Sequence, residues 1–294
     1  MKYSIIIPHY NRPDLIVKTI KSFKDLKDKE IIIIDDSSTE ENLKKLKNNI
    51  QNLNDKNIIL HESIQGEKYF LAGARNKGME LAQGEWIYFI DDDDEATPQF
   101  IKWLNKATLN TKYDFYRFPN IERLDGKNKT YIYKWWHKKY SPQVSTYLFN
   151  SKFFNETKIK FNTKVPYGED IFFQMEIFEI KKIKSKYKHL FAFYYNRFSN
   201  VESMMKSKKH NPKNHLKWID EALKTNYKAK KSDSLTFFSI YFKNMYKQGN
   251  YENKEEALKV FEEYYNKIKP TFKDWWKINF PWKIVLLSFK KSLK

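Results

Sequence analysis

Residues Trp86 to Glu95, WIYFIDDDDE, set an uninterrupted apolar run directly against four consecutive aspartates. Trp86, Ile87, Tyr88, Phe89 and Ile90 are aromatic or β-branched and uncharged. That is the composition of a strand buried on both faces, and it points to a parallel rather than an antiparallel sheet. Open α/β sheets bind ligands beyond the carboxyl ends of such strands. Four carboxylates gathered at one end repel one another in a low dielectric unless a cation sits among them, and hard oxygen donors select Mg²⁺ or Mn²⁺. The pattern predicts a divalent cation that carries a phosphorylated ligand at Asp91 to Asp94. The plain alternative is a solvated acidic loop capping the strand.

The residues around this stretch alternate between strand and helix patterns. Tyr3 to Ile7 reads as a strand, with Pro8 to Pro13 as the loop at its carboxyl end. Leu15, Ile16, Thr19, Ile20 and Phe23 then recur at helical spacing. Glu30 to Ile34 is a second buried strand, ending in Asp35 and Asp36, so two strands end in acid. A helix over Glu40 to Leu53, with Leu43, Leu46 and Ile50 as its apolar stripe, leads to a short strand at Ile58 to His61. This order is the signature of right-handed parallel crossovers. Gly73 to Gly78, GARNKG, is expected to open a further helix through Met79, Leu81 and Ala82, ended by Gly84. Small residues at its start would let backbone approach a ligand closely.

Beyond Pro98 the pattern predicts a helix over Gln99 to Leu109 and a strand over Tyr113 to Phe118. Next comes a polar stretch with a hairpin turn at Asp125 and Gly126. It ends in Trp135, Trp136 and His137, aromatic groups suited to lie over sugar faces or to pack in a core or an interface. Lys182 to Lys188 reads as a basic connector, and His189 to Tyr195 as a strand. Residues 206–294 read as a helical basic region.

Charge is unevenly spread. The net charge is +19, yet residues 1–100 hold 14 basic against 18 acidic side chains and residues 101–294 hold 41 against 18. The basic part fits an anionic partner or a solvated surface. Its last twenty residues mix Trp275, Trp276 and Trp282 with lysines, as helices lying on anionic membrane surfaces do; packing back on the domain or forming a dimer interface are the alternatives. No nucleic-acid motif accompanies the charge, so no nucleic acid is expected as a partner. With no cysteine there is no thiolate metal site, thiol nucleophile or disulfide framework. The first residues carry too short an apolar run for a signal peptide, and no run approaches the length that spans a bilayer.

The series IIIPHYNRP, IIIIDDSS, GARNKG and YFIDDDDEATP, in this order and spacing, resembles the nucleotide-sugar half of family 2 glycosyltransferases. The resemblance is close over residues 1–100 and looser to about residue 205. It implies the GT-A fold, α/β with a mostly parallel central sheet flanked by helices. The implied catalytic domain spans residues 1–205, a nucleotide-sugar half (1–100) and an acceptor half (101–205), with the helical region 206–294 appended. By resemblance Asp91 and Asp93 hold Mn²⁺ or Mg²⁺, and Pro8, Tyr10, Asp35, Asp36, Arg75, Asp91 and Asp92 bind the donor nucleotide. Pro8 and Tyr10 form a wall for uracil, the acidic pair accepts from its N–H, and Arg75 reaches the base or ribose.

Ser145 to Phe149 and Phe153 to Phe161 resemble the strand and turn before the family's second motif. That motif is Gly168, Glu169, Asp170, in which Asp170 is the base and Glu169 stands near the anomeric centre. Trp135, Trp136 and His137 are acceptor candidates, and Arg197 a phosphate contact. The implied activity is inverting, metal-dependent transfer from a UDP-sugar to a hydroxyl of a glycan or lipid-linked glycan, in bacterial capsule or lipooligosaccharide assembly. The implied location is cytoplasmic, peripheral on the inner face of the plasma membrane. A binding or scaffold protein that keeps the fold without catalysis is the competing reading.

Overall fold

Runs of isoleucine build the centre of the fold. In β1 (Tyr3–His9) and β2 (Lys29–Asp35) every residue is buried, and the two pair in parallel register from Tyr3 opposite Lys29 to His9 opposite Asp35. β3 (Ile58–Glu62) extends the sheet beyond β2, and β4 (Trp86–Phe89) pairs parallel with β1 on the other side. Side chains alternate across the pleat. Ile5, Ile7, Ile31 and Ile33 face a core with Ile16 and Ile20 of α1 (Leu15–Ser22), Leu46 of α2 (Glu40–Leu53) and Phe100 and Leu104 of α4 (Pro98–Lys106). Ile6, Ile32 and Ile34 face the opposite layer, which holds α3 (Phe70–Leu81), α5 (Ser151–Thr157) and α6 (Glu169–Glu179). Burying each such side chain contributes about 1.5–3 kcal/mol, so the alternation alone fixes which face each helix covers.

The computed structural model of the chain describes residues 1–63, 69–124, 127–129, 143–165, 168–180, 182–197 and 259. The chain divides into two compact units, Met1–Thr163 with Tyr167–Asn200, and Lys164–Pro166 with Val201–Lys294. The elements named here belong to the first. Among the described residues no helix is long and apolar enough to cross a membrane.

The main sheet is mixed. β6 (Phe115–Arg117), β9 (Tyr147–Asn150) and β10 (Ser185–Tyr187) complete the order β10-β6-β9-β4-β1-β2-β3. β9 runs antiparallel to both β4 and β6, so the parallel surroundings expected of β4 exist only on its β1 side. The expected connector Lys182 to Lys188 contains β10, a short edge strand whose single lysine, Lys186, suits an exposed edge. A second sheet has the order β5-β11-β7-β8, from β5 (Glu95–Ala96), β7 (Ile121–Leu124), β8 (Lys127–Lys129) and β11 (Phe193–Arg197). Leu124 pairs with Lys127, so a hairpin brackets Asp125 and Gly126, which lie outside the described residues. β11 starts four residues later than the expected strand.

Three local expectations are corrected. α3 begins at Phe70, because the Asp36 carboxylate accepts from the N–H groups of Tyr69 and Phe70 and caps the helix there. GARNKG therefore lies inside the helix, and its glycines serve packing: a Cβ on Gly78 would run into Ile6 Cγ2. Second, Pro8 belongs to β1 rather than to a loop. Ile6 O accepts from Ile90 and His9 O from Asp36, so even residues of β1 face β4 and odd ones face β2. The N–H that Pro8 lacks would point past the end of β4, where no ladder bond is lost. Third, residues 153–157 are helical, in α5, whose start is capped by Asn150 Oδ1 accepting from Lys152 N at 3.1 Å.

Candidate active site

The aspartate run turns at the carboxyl end of β4, with Asp94 N donating to Asp91 O at 3.1 Å. The turn sorts its members by parity. Asp92 and Asp94 are buried, whereas Asp91 and Asp93 remain half-exposed. Asp92 points into the domain: His9 Nδ1 donates to Oδ2 at 2.9 Å, Arg12 pairs with Oδ1, and Thr19 Oγ1 donates to the Asp92 carbonyl at 2.9 Å. At 1% exposure Asp92 has its carboxylate oxygens on His9 and Arg12.

Asp94 accepts from Asn196 N at 2.9 Å, and Asn196 Nδ2 also donates to Asp93 O at 2.9 Å, so β11 clamps the turn from outside. Burial, with Asp93 and Asp91 close by, pushes the Asp94 carboxyl well above the ordinary range. Asp93 pairs with Arg12 Nη1 at 2.7 Å. Burial still raises its pKa to about 6, because Asp91 and Asp92 oppose the effect of Arg12. Burial works against the charge of Arg12 in turn, but Asp92, Asp93 and Asp91 outweigh it and push its pKa up. The cluster is short of positive charge.

The second motif meets the first through Arg75. Gly168, at φ 71°, turns the chain in the left-handed region into α6, whose first turn carries Glu169 and Asp170. Arg75 lies inside α3 at 3% exposure, with Nη2 on Asp91 at 2.7 Å and Nη1 on Glu169. Burial opposes its charge, but Asp91, Glu169 and Asp170 outweigh burial and hold it protonated. Arg75 is therefore no surface cation, and its fork is spent on carboxylates rather than extended toward a base or ribose. Glu169 is buried with it, while Asp170, one residue on, is half-exposed. The guanidinium sits 5.5 Å from the Phe161 ring, which stacks on Phe173 of α6 at 3.9 Å.

The expected nucleotide loops lie at the same sheet edge, beyond β1 and β2. Tyr10 is 45% exposed there, whereas Pro8 is buried in its strand and offers no open wall. Both Asp35 oxygens accept from Ser38, from N at 3.0 Å and from Oγ at 2.6 Å, and Asp35 is buried; Asp36 is half-exposed and caps α3. Asp35 thus orders the loop. Trp135, Trp136, His137, the side chain of Arg197 and residues 206–258 and 260–294 lie outside the described residues.

Sequence reasoning missed His9, Arg12, Thr19 and Asn196 as partners of the aspartate run. His9 and Arg12 stand on either side of Tyr10 in the motif PHYNRP, and their position at and just beyond the end of β1, beside β4, was the available signal.

Among the described residues no three or more His, Asp and Glu side chains converge as a ready metal cage. Mg²⁺ and Mn²⁺ on phosphorylated substrates commonly use one or two carboxylates, with phosphate oxygens and water completing the shell. Asp91 and Asp93 fit that need as half-exposed hard oxygen donors in a charge-starved cluster.

Residues 4–179 match the family model of glycosyl transferase family 2. The chain belongs to that family. A GalNAc(5)-diNAcBac-PP-undecaprenol beta-1,3-glucosyltransferase of Campylobacter jejuni is 41% identical over 97 residues, 32% of this chain and 30% of that protein. The Staphylococcus aureus poly(ribitol-phosphate) beta-N-acetylglucosaminyltransferase TarS is 27% identical over 188 residues, 60% of this chain and 30% of that one. The chain thus spans about a third of the length of the curated relatives it matches. The crystal structure of TarS 1-349 in complex with UDP-GlcNAc matches with a TM-score of 0.65 at 16% identity, over 91% of this chain and 82% of that chain. A Pyrobaculum calidifontis mannosyltransferase in complex with GDP-Man and Mn²⁺ matches with a TM-score of 0.57 at 12% identity, over 99% and 80%. The fold of this family member is GT-A.

Proposed function

We propose that this glycosyltransferase moves a sugar from a UDP-sugar to a hydroxyl of a glycan or lipid-linked glycan, with inversion and with a divalent metal. The observation that carries the reading is the Arg75 fork, which ties Asp91 of the aspartate run to Glu169 beside Asp170. A donor-binding carboxylate and a candidate base thereby share one rigid support. The UDP-GlcNAc bound by the TarS structure supports UDP as the nucleotide.

Asp91 and Asp93 would hold Mn²⁺ or Mg²⁺, which when bound offsets the negative charge that gathers on a departing diphosphate. Asp170 stands in the first turn of α6, where the helix dipole favours a carboxylate. It takes the acceptor hydroxyl's proton as that oxygen bonds to the anomeric carbon, and the bond to the diphosphate breaks with its electron pair leaving on UDP. Attack from the face opposite the leaving group needs this one base and no protein nucleophile. Glu169 does not reach the sugar in this scheme; through Arg75 it holds α6 against β4. Tyr10 supplies an exposed ring for the uracil face, and the half-exposed Asp36 a carboxylate to accept from its N–H.

The names of the relatives, which print an undecaprenol-linked glycan and a poly(ribitol-phosphate), support a lipid-linked glycan or polymer acceptor, and a capsule or lipooligosaccharide chain is the acceptor proposed here. The appended region 206–294, with 21 basic against 9 acidic residues from 204 onward, is assigned to an anionic membrane surface, which makes the enzyme peripheral on the inner face of the plasma membrane.

Thermal unfolding with UDP, with Mn²⁺ and with both tests the donor site. Ligand at about 100 times its Kd stabilises by about 2.7 kcal/mol. Stabilisation by UDP that requires Mn²⁺ and disappears in Asp93→Ala is expected. If neither ligand moves the unfolding curve, the donor-site reading fails.

A further inference from the structure

Arg12 follows β1 by three residues, and its carbonyl accepts from Leu15 and Ile16 at the start of α1, so its main chain is fixed by the helix. Its side chain reaches back over the aspartate run. One arm of the fork, Nη2, pairs with Oδ1 of the buried Asp92; the other, Nη1, donates to Oδ2 of the half-exposed Asp93 at 2.7 Å. The two carboxylates differ in what else holds them. Asp92, at 1% exposure, is also bound by His9 and anchored through its carbonyl by Thr19, whereas the Asp93 side chain is 22% exposed and has Arg12 as its ion-pair partner. The guanidinium is itself 36% exposed, so it sits at the mouth of the cluster rather than in its floor.

A divalent ion on Asp93 would face the Arg12 guanidinium on the same carboxylate, and the two cations repel; Arg12, 36% exposed, has solvent to turn into, whereas Arg75 on Asp91 is 3% exposed and held by Glu169 as well. We propose that Arg12 is the resident cation of the donor site, holding Asp93 closed in the nucleotide-free enzyme and yielding it when the metal arrives with the nucleotide diphosphate. This rests on the donor-site reading above. Arg12 yields Asp93 first because Asp92 is buried and anchored from three sides. The diphosphate brings the negative charge that makes room for a second cation, so metal and nucleotide bind with positive coupling, and by linkage each strengthens the other by the same factor.

The test is Mn²⁺ titration, with free Mn²⁺ followed by its electron paramagnetic resonance, on the full chain and on Arg12→Met and Arg12→Lys, with and without UDP. Without UDP, Arg12→Met should bind Mn²⁺ at least about fivefold more tightly than the parent, and the gain in Mn²⁺ affinity on adding UDP should shrink by a similar factor. Arg12→Lys keeps the charge but not the two-pronged fork, and should fall between the two. It also carries the test should Arg12→Met fail to fold. Equal or weaker Mn²⁺ binding by both variants without UDP, alongside UDP-dependent binding in the parent, overturns the role of Arg12 and leaves the donor site standing. Absence of Mn²⁺ binding in every protein, even with UDP, overturns both.

Discussion

Arg75 and Glu169 form an ion pair at 3% and 7% side-chain exposure, and the same guanidinium holds Asp91 at 2.7 Å. One buried cation therefore joins α3, α6 and the turn after β4. Removing it leaves Asp91 and Glu169 facing each other without compensation. Breaking a buried pair by deleting one partner costs about 3–5 kcal/mol. Arg75→Met is expected to lower unfolding stability in urea by about that much. Glu169→Gln added to it should recover at least about 1 kcal/mol, because groups in contact do not contribute additively. Strictly additive losses in this double-mutant cycle would show that the pair carries no coupling.

Gly78 probes how closely α3 lies on the sheet. Its added Cβ would meet Ile6 Cγ2 well inside contact distance, and Ile6 is fully buried in the middle of β1. Overpacking of this kind costs about 1–3 kcal/mol. Gly78→Ala should be destabilised by that amount in thermal unfolding. In the background of Ile6→Ala, which removes the opposing methyl, the same change should cost less. If Gly78→Ala is as harmful in that background, the cost comes from elsewhere.

Much of this was legible in the chain because local pattern and tertiary role agree. The unbroken buried runs of β1 and β2 fit strands covered on both faces, the stripe Leu43, Leu46 and Ile50 repeats at the period of α2, and the acids closing β2 and β4 mark the ends of their strands. The elements that were misread owe their state to distant partners. Ser185 to Tyr187 is a strand only because it pairs with β6, and β9 is antiparallel because of where the chain returns. Within the site, the motifs located the carboxylates but not their cations. Arg12 and Asp93 lie 81 residues apart, and the pairing of Arg75 with Glu169 spans 94. No periodicity encodes such contacts. The parity of the aspartate run, two in and two out, follows from the turn after β4 and from Asn196 in β11.

Away from the site, Lys29 is 6% exposed and depends on Asp55 at 3.3 Å and the Leu26 carbonyl at 3.2 Å. Burial works against the Asp55 charge, but the Asn57 N–H and Lys29 outweigh it and hold its pKa below the ordinary 3.8. A depressed carboxyl stabilises the fold above its unfolded pKa, and that stability is lost as pH falls through the lower, folded value. Asp55→Asn should therefore cost about 1 kcal/mol at pH 7, a modest figure because Asp55, at 26% exposure, is partly screened by solvent. Denaturant titrations should find the difference between parent and variant shrinking only below pH 3.8. A difference independent of pH would assign the effect to packing rather than charge.

Asp170 and Glu169 are adjacent acids in the first turn of α6, yet they sit in different surroundings, and the roles proposed for them rest on that difference. Glu169 is buried on Arg75 at 7% side-chain exposure; Asp170 is half-exposed beside the same cation. A base must reach the proton it removes, and positioned acid–base groups contribute about 10²–10⁴-fold to rate. Asp170→Asn is expected to lower kcat within that range while UDP affinity, read by thermal shift with Mn²⁺, stays within about twofold. Glu169→Gln should instead reduce stability along with rate, because it loosens Arg75 and through it Asp91. If Asp170→Asn keeps nearly full kcat while Glu169→Gln loses it without losing stability, the roles are reversed. Arg75 would then have to release Glu169 during turnover.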